Sequence, residues 1–192
     1  MLLIFRRPVL LLPLLAVLLG GCPVTEDPGT QTSGGNSTSN TSNTSTSNQS
    51  DDSECGVSPN ENTWQQEVLR LVNVERDREG LNPVVWNPTL ADQATEYACE
   101  MIVYDFFAHV NPVTGSHLDD RADEFGYDYQ MIGENLAAGQ ATPDQAMWDW
   151  MNSDGHRANI LNPHFTELGV GVRIGGEYDI YWVQEFGLPA GS

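Results

Sequence analysis

Leu168-Gly169-Val170-Gly171-Val172-Arg173-Ile174, then Gly175-Gly176, then Tyr178 to Phe186, decides the class of fold. In the first run apolar residues alternate with glycine and arginine, the period of a strand. The paired glycines make a turn. The second run is apolar on both alternations, as a central strand covered on both faces would be. Upstream the period becomes helical. Asn87-Pro88 is an N-cap and first-turn pair, and Leu90, Ala91, Ala94, Tyr97, Ala98, Met101 and Ile102 form one apolar face behind it. Thr63-Trp64-Gln65-Gln66 fits a capping box, with Val68, Leu71 and Val72 at helical spacing until Gly80. Shorter helices are predicted from Leu118 to Phe125, stopped by Gly126, and from Thr142-Pro143 to about Asn152. Ser153 is placed to cap a further turn, which Asn162-Pro163 must end. Helices ahead of a compact antiparallel sheet make the class α+β, with helices packed on the sheet.

The N-terminal part of the chain has another character. Met1 to Gly21 reads as a signal peptide: Arg6-Arg7, an apolar run from Val9 to Leu19, then small residues. The run is broken by Pro13 and falls short of the ~20 residues that cross a membrane. Leu19-Gly20-Gly21-Cys22 resembles the lipobox of bacterial lipoproteins, which implies lipidation of Cys22 and anchoring of an exported protein facing the periplasm or cell exterior. From Cys22 to Cys55 the chain is mostly Ser, Thr, Asn and Gly and cannot bury enough surface to offset its ordering entropy. As a coil it spans ~30 Å. The divisions are therefore a leader over 1–21, a lipidated tether over 22–55 and one folded domain over 56–192.

Acidic residues number 27 against 8 basic ones, for a net charge of −19. Such a chain is a poor candidate for nucleic acid, which needs clustered Lys and Arg. With Cys22 assigned to lipid, Cys55 and Cys99 remain, an even pair in an exported protein and hence a candidate disulfide. A free buried Cys99 is the alternative.

The residues with chemistry to offer are His109, Glu134 in Gly133-Glu134-Asn135, and His156 in Gly155-His156-Arg157-Ala158-Asn159. Glu134 lies between Ile132 and Leu136, and an acid amid apolar neighbours needs a partner if buried. Spacing alone does not bring the three together. His117 and His164 read as ordinary loop residues, and the five tryptophans as core, with Trp150 or Trp182 in reach of a cleft.

In order along the chain, Asn73-Val74-Glu75-Arg76, Trp86-Asn87-Pro88, Phe107-Ala108-His109, Gly133-Glu134-Asn135-Leu136, Trp150-Met151-Asn152-Ser153 with Gly155-His156-Arg157-Ala158-Asn159-Ile160-Leu161, Gly169-Val170-Gly171 and Tyr181-Trp182-Val183-Gln184 resemble the CAP superfamily. That superfamily comprises cysteine-rich secretory, antigen 5 and pathogenesis-related proteins, and the likeness is to its bacterial SCP-like domains. The resemblance implies a three-layer α-β-α sandwich around a small central antiparallel sheet. It also implies a shared cleft holding His109, Glu134 and His156. A second glutamate found in many eukaryotic members falls at Ser153 here.

Two imidazoles and a carboxylate suit Zn2+ or another divalent cation. Alternatively the three bond to one another and organise the cleft. Three functions follow: a membrane-tethered binding module for a cation, lipid, peptide or small molecule; a hydrolase using a metal-activated water or a Ser153–His156 pair; or an envelope interaction protein that ignores the cleft. There is no GxSxG or HExxH signature to favour catalysis.

Overall fold

The structure is a computed structural model and describes residues 2–5 and 54–191. Cys22, expected to be lipidated, and nearly all of the expected leader and tether lie outside the described residues.

The elements run in chain order as β1 (Leu2–Phe5), α1 (Glu61–Arg78), β2 (Val85–Trp86), α2 (Pro88–Val103), α3 (Leu118–Glu124), β3 (Tyr129–Ala138), α4 (Pro143–Asn152), α5 (Asp154–Ile160), β4 (Glu167–Ile174) and β5 (Ile180–Pro189). The sheet order is β1-β3-β5-β4-β2. β3, β5 and β4 are antiparallel neighbours, and β2 joins β4 in parallel. The sheet is thus mixed rather than wholly antiparallel, because the short β2 enters from the end of α1 in the same direction as β4.

Two helix layers cover it. Val68 and Val72 of α1, Met147 and Trp150 of α4 and Ile160 of α5 pack with Val170, Val172, Trp182 and Phe186 on one face. Ala94, Tyr97, Ala98 and Met101 of α2 pack with Leu136, Tyr181 and Val183 on the other. The α-β-α sandwich follows from this: large residues at even positions of β4 face α1, while Gly169 and Gly171 face α2. A Cβ on Gly171 would lie 2.3 Å from the Ala94 backbone, so glycine is what lets α2 lie directly on the strand.

The long apolar face of α2 is buried as expected, and Asn87 caps it by accepting the Leu90 N–H at 3.1 Å. The start of α1 differs from expectation: Asn60, not Thr63, is its N-cap, because Ser58 already turns the chain and accepts the Glu61 N–H. Thr142 caps α4 as expected, but the Gln145 side chain turns back to the Ala141 N–H rather than to its cap residue. The largest departure is β3, a strand that the sequence pattern does not announce. Leu2–Phe5, read as part of a leader, forms the outermost strand beside Met131–Glu134, with Ile4 packed on the cluster of Leu90, Leu118 and Ile132. Among the described residues no helix is long and apolar enough to cross a membrane.

Cys55 and Cys99 are joined in a disulfide, with Cα atoms 5.3 Å apart. Gly56 adds a backbone bridge to Ile174, so the chain entering the domain is held by both α2 and β4.

Candidate functional site

Glu134 sits mid-strand on β3 with its side chain fully buried on the α2 and α3 side of the sheet. A buried carboxylate requires charged or hydrogen-bonding partners. It has two. His109 Nδ1 lies 2.7 Å from Oε1, and Arg121 Nη2 donates to Oε2 at 2.5 Å. Arg121 comes from α3, has a side chain only 5% exposed, and lies with its Cζ 3.4 Å from the centre of the Tyr97 ring. Burial opposes its charge, but the neighbouring carboxylates, Glu134 foremost, outweigh that and raise its pKa.

His109 follows α2 in a segment held at its backbone. The Tyr97 hydroxyl donates to the Ala108 carbonyl at 2.6 Å, and Arg121 Nη1 donates to the His109 carbonyl at 3.3 Å. One guanidinium therefore fixes both the histidine's backbone and the carboxylate that its ring meets.

His156 arrives from the other helix layer. Asn135, next to Glu134 but pointing to the opposite face, donates to the His156 carbonyl at 3.1 Å and to Gln184 Oε1 at 3.0 Å. Asn159 of α5 donates to the Glu134 carbonyl at 3.1 Å and to Asn135 Oδ1 at 2.9 Å. The Gly-Glu-Asn run thus serves both faces of the sheet through the strand's alternation. Burial, the largest cause, pushes the His156 pKa down to about 4. Its ring is neutral at pH 7.

The far end of α5 is fastened by Arg76 of α1, which is fully buried. Its guanidinium donates to the carbonyls of Asn82 at 2.8 Å, Ile160 at 2.8 Å, Asn162 at 2.9 Å and Phe165 at 3.0 Å. Carbonyls at a helix C-terminus are a favourable place for a cation.

The structure joins His109 to Glu134 directly and ties the His156 backbone carbonyl to Asn135, the next residue of the same strand. Ser153 links α4 to α5, and its backbone carbonyl accepts the Arg157 N–H at 2.8 Å. Its hydroxyl caps neither helix, and no hydrogen bond joins it to His156 among the described residues. His117 opens α3 with its backbone N–H on Asp120, and His164 sits in an exposed turn. Trp150 and Trp182 are core residues with their indole N–H groups on the carbonyls of Leu136 and Gln140. Trp148 corrects the expectation that all five tryptophans are core: it is 67% exposed.

Arg121, Tyr97 and Arg76 were missed from the sequence, as was the burial of Glu185 next to the site. For Arg121 and Glu185 a signal existed. Arg121 falls on the Leu118–Ala122 side of a short helix, and Glu185 shares its alternation with Tyr181 and Val183.

As a metal site the three residues do not fit. Both Glu134 oxygens are engaged, and two imidazoles alone fall short of the three protein ligands usual for a catalytic zinc. Among the described residues no group of three or more His, Cys, Asp or Glu is arranged to hold a metal ion.

The profile of the cysteine-rich secretory protein family (CAP) matches residues 69–186. The uncharacterized protein YkwD of Bacillus subtilis (strain 168) is 41% identical over 123 residues, which cover 64% of this chain and 46% of that one. An extracellular protein containing a SCP domain from Bacillus anthracis str. Ames, solved by crystallography, superposes with a TM-score of 0.62 at 35% identity, over 68% of this chain and 44% of its own. An outer surface protein from Borrelia burgdorferi superposes with a TM-score of 0.59 at 20% identity, over 64% of this chain and 90% of its own, a likeness of fold alone. The chain thus spans less than half the length of the two Bacillus proteins. With the family profile covering most of its folded part, the chain belongs to the cysteine-rich secretory protein (CAP) family.

Proposed function

We propose that this protein is an exported, membrane-tethered binding module, and that the region around His109, Glu134 and His156 forms the cleft that holds a small molecule, lipid or peptide without turning it over. The observation that carries this reading is the state of Glu134. It is buried and already bonded on both oxygens, so it serves as a fixed internal anchor rather than as an acid, base or nucleophile. His156 is close by with a neutral ring able both to donate and to accept. Nothing in the arrangement favours the hydrolase, since Ser153 and His156 do not form a nucleophile–base pair of the kind catalysis requires. The disulfide supports an oxidising compartment. The lipobox sequence around Cys22 supports an acyl anchor, for which two or more chains give stable attachment.

The test is calorimetric titration of the full chain with panels of lipids, peptides and small metabolites, each mixture then checked for products by mass spectrometry. The expected result is saturable heat, lost in His156→Ala, with the ligand recovered unchanged. Product formation that disappears in Ser153→Ala would overturn the reading. For the tether, Cys22→Ser should move the protein from the detergent phase to the aqueous phase.

A further inference from the structure

We propose that Arg121 is the resident cation of the His109–Glu134 site and that its hold on Glu134 closes this site to divalent metal ions. This deepens the reading of the groove as a binding site and rests on it. A carboxylate ligates a metal through a free lone pair directed at open space. Glu134 has an imidazole nitrogen on one oxygen and a guanidinium on the other, and its side chain has no solvent exposure. A metal ion on Glu134 would have to expel Arg121 or sit beside it, and two cations at one carboxylate repel strongly where little water screens them.

Arg121 is not free to leave. It lies over the Tyr97 ring at 3.4 Å, donates to the His109 carbonyl at 3.3 Å and is 5% exposed. Swinging it aside would strand a guanidinium in the interior and break the tie that positions His109. The planar fork suits this double duty, reaching the carboxylate with one nitrogen and the loop carbonyl with the other. Arg121 is therefore a positioning residue that sets selectivity: it supplies the positive charge that an ion would otherwise bring and leaves the groove to ligands recognised by hydrogen bonds and shape.

The experiment titrates the full chain with Zn2+ and, separately, Ca2+, following heat by calorimetry and the His109 and His156 ring signals by nitrogen-15 NMR. His156→Ala run in parallel removes any contribution from the acidic surface. The expected result is no difference in uptake between the native chain and His156→Ala, and unmoved imidazole signals at millimolar zinc. Arg121→Gln should bind zinc at least tenfold more tightly than the native chain, and the added Glu134→Gln change should abolish that gain. Stoichiometric zinc shifts of both imidazoles in the native chain would overturn the proposal. So would a folded Arg121→Gln that binds no better than the native chain. If Arg121→Gln does not fold, the native imidazole titration decides alone. A zinc-responsive native groove leaves the binding-module reading standing, whereas a ligand panel without response defeats that reading and not this one.

Discussion

Glu134 on β3 and Glu185 on β5 stand directly opposite each other in the antiparallel register, and both are buried. Of the two carboxylates, Arg121 hydrogen-bonds only Glu134. Among the described residues neither Glu185 oxygen makes a full hydrogen bond, and the neighbouring Gln93 amide of α2 opposes the rise in its pKa only weakly. Burial first, and the charge of Glu134 second, push the Glu185 pKa well above the ordinary value. The folded state then holds a proton that the unfolded state releases above about pH 4.3. Stability should fall as pH rises from there toward the raised native pKa, by up to ~1.4 kcal/mol per pH unit. Glu185→Gln should remove that slope and raise stability at pH 7. Urea midpoints from pH 5 to 8 check this, and an unchanged slope in the variant would refute it.

His156 has the opposite sign. Its folded pKa of about 4 lies below the unfolded value of 6.5, so its contribution is complete above pH 6.5 and is lost as pH falls toward 4. In that window it offsets Glu185, and the native profile should be flatter than either group alone would make it. The stability difference between the native chain and His156→Gln should shrink as pH drops from 7 to 4.5. Parallel curves across that range would show that the ring is not desolvated.

Arg121→Met leaves Glu134 as a buried charge without its cation. Losing one partner of such a pair costs about 3–5 kcal/mol. The double change Arg121→Met with Glu134→Leu should recover part of the loss, read from paired denaturation curves.

Arg76→Met should cost at least ~3 kcal/mol, because it orphans carbonyls in the loop after α1, at the end of α5 and in the approach to β4. Hydrogen exchange should quicken at the α5 amides more than in α2. Uniform quickening would mean that Arg76 steadies the whole domain and not this helix.

Gly171→Ala should lower stability by about 1–3 kcal/mol or more, since its Cβ meets the Ala94 backbone and not a yielding side chain. Thermal denaturation measures it. A neutral outcome would show that α2 can slide outward at little cost.

Most of the helical framework was legible because its signals are local: Asn87-Pro88, the apolar face from Leu90 to Ile102, and Gly80 with its positive φ. The β4–β5 hairpin was legible from its alternation. β3 was not, because Gly133, Glu134 and Asn135 are individually poor strand residues, made tolerable there by Arg121, His109 and Asn159. The site shows the same division. His109, Glu134 and His156 were singled out through a likeness running from about Val68 to Phe186, nearly the whole folded part. Arg121 and Tyr97 act on them through folding that brings α2, α3 and β3 together, which no spacing announces.

The Cys55–Cys99 bond closes a 44-residue separation, for which loop entropy predicts roughly 4 kcal/mol of stabilisation. Its position has a mechanical consequence. Any pull travelling along the chain from before residue 54 reaches a covalent junction with α2 one residue before the Gly56–Ile174 bridge. The load passes into the helix that carries Tyr97, and the hydrogen bonds of the sheet edge are shielded from being unzipped one by one. A domain towed through the segment just before Glu54 would keep its α2 side in shape under drag, until a reductant cut the shackle.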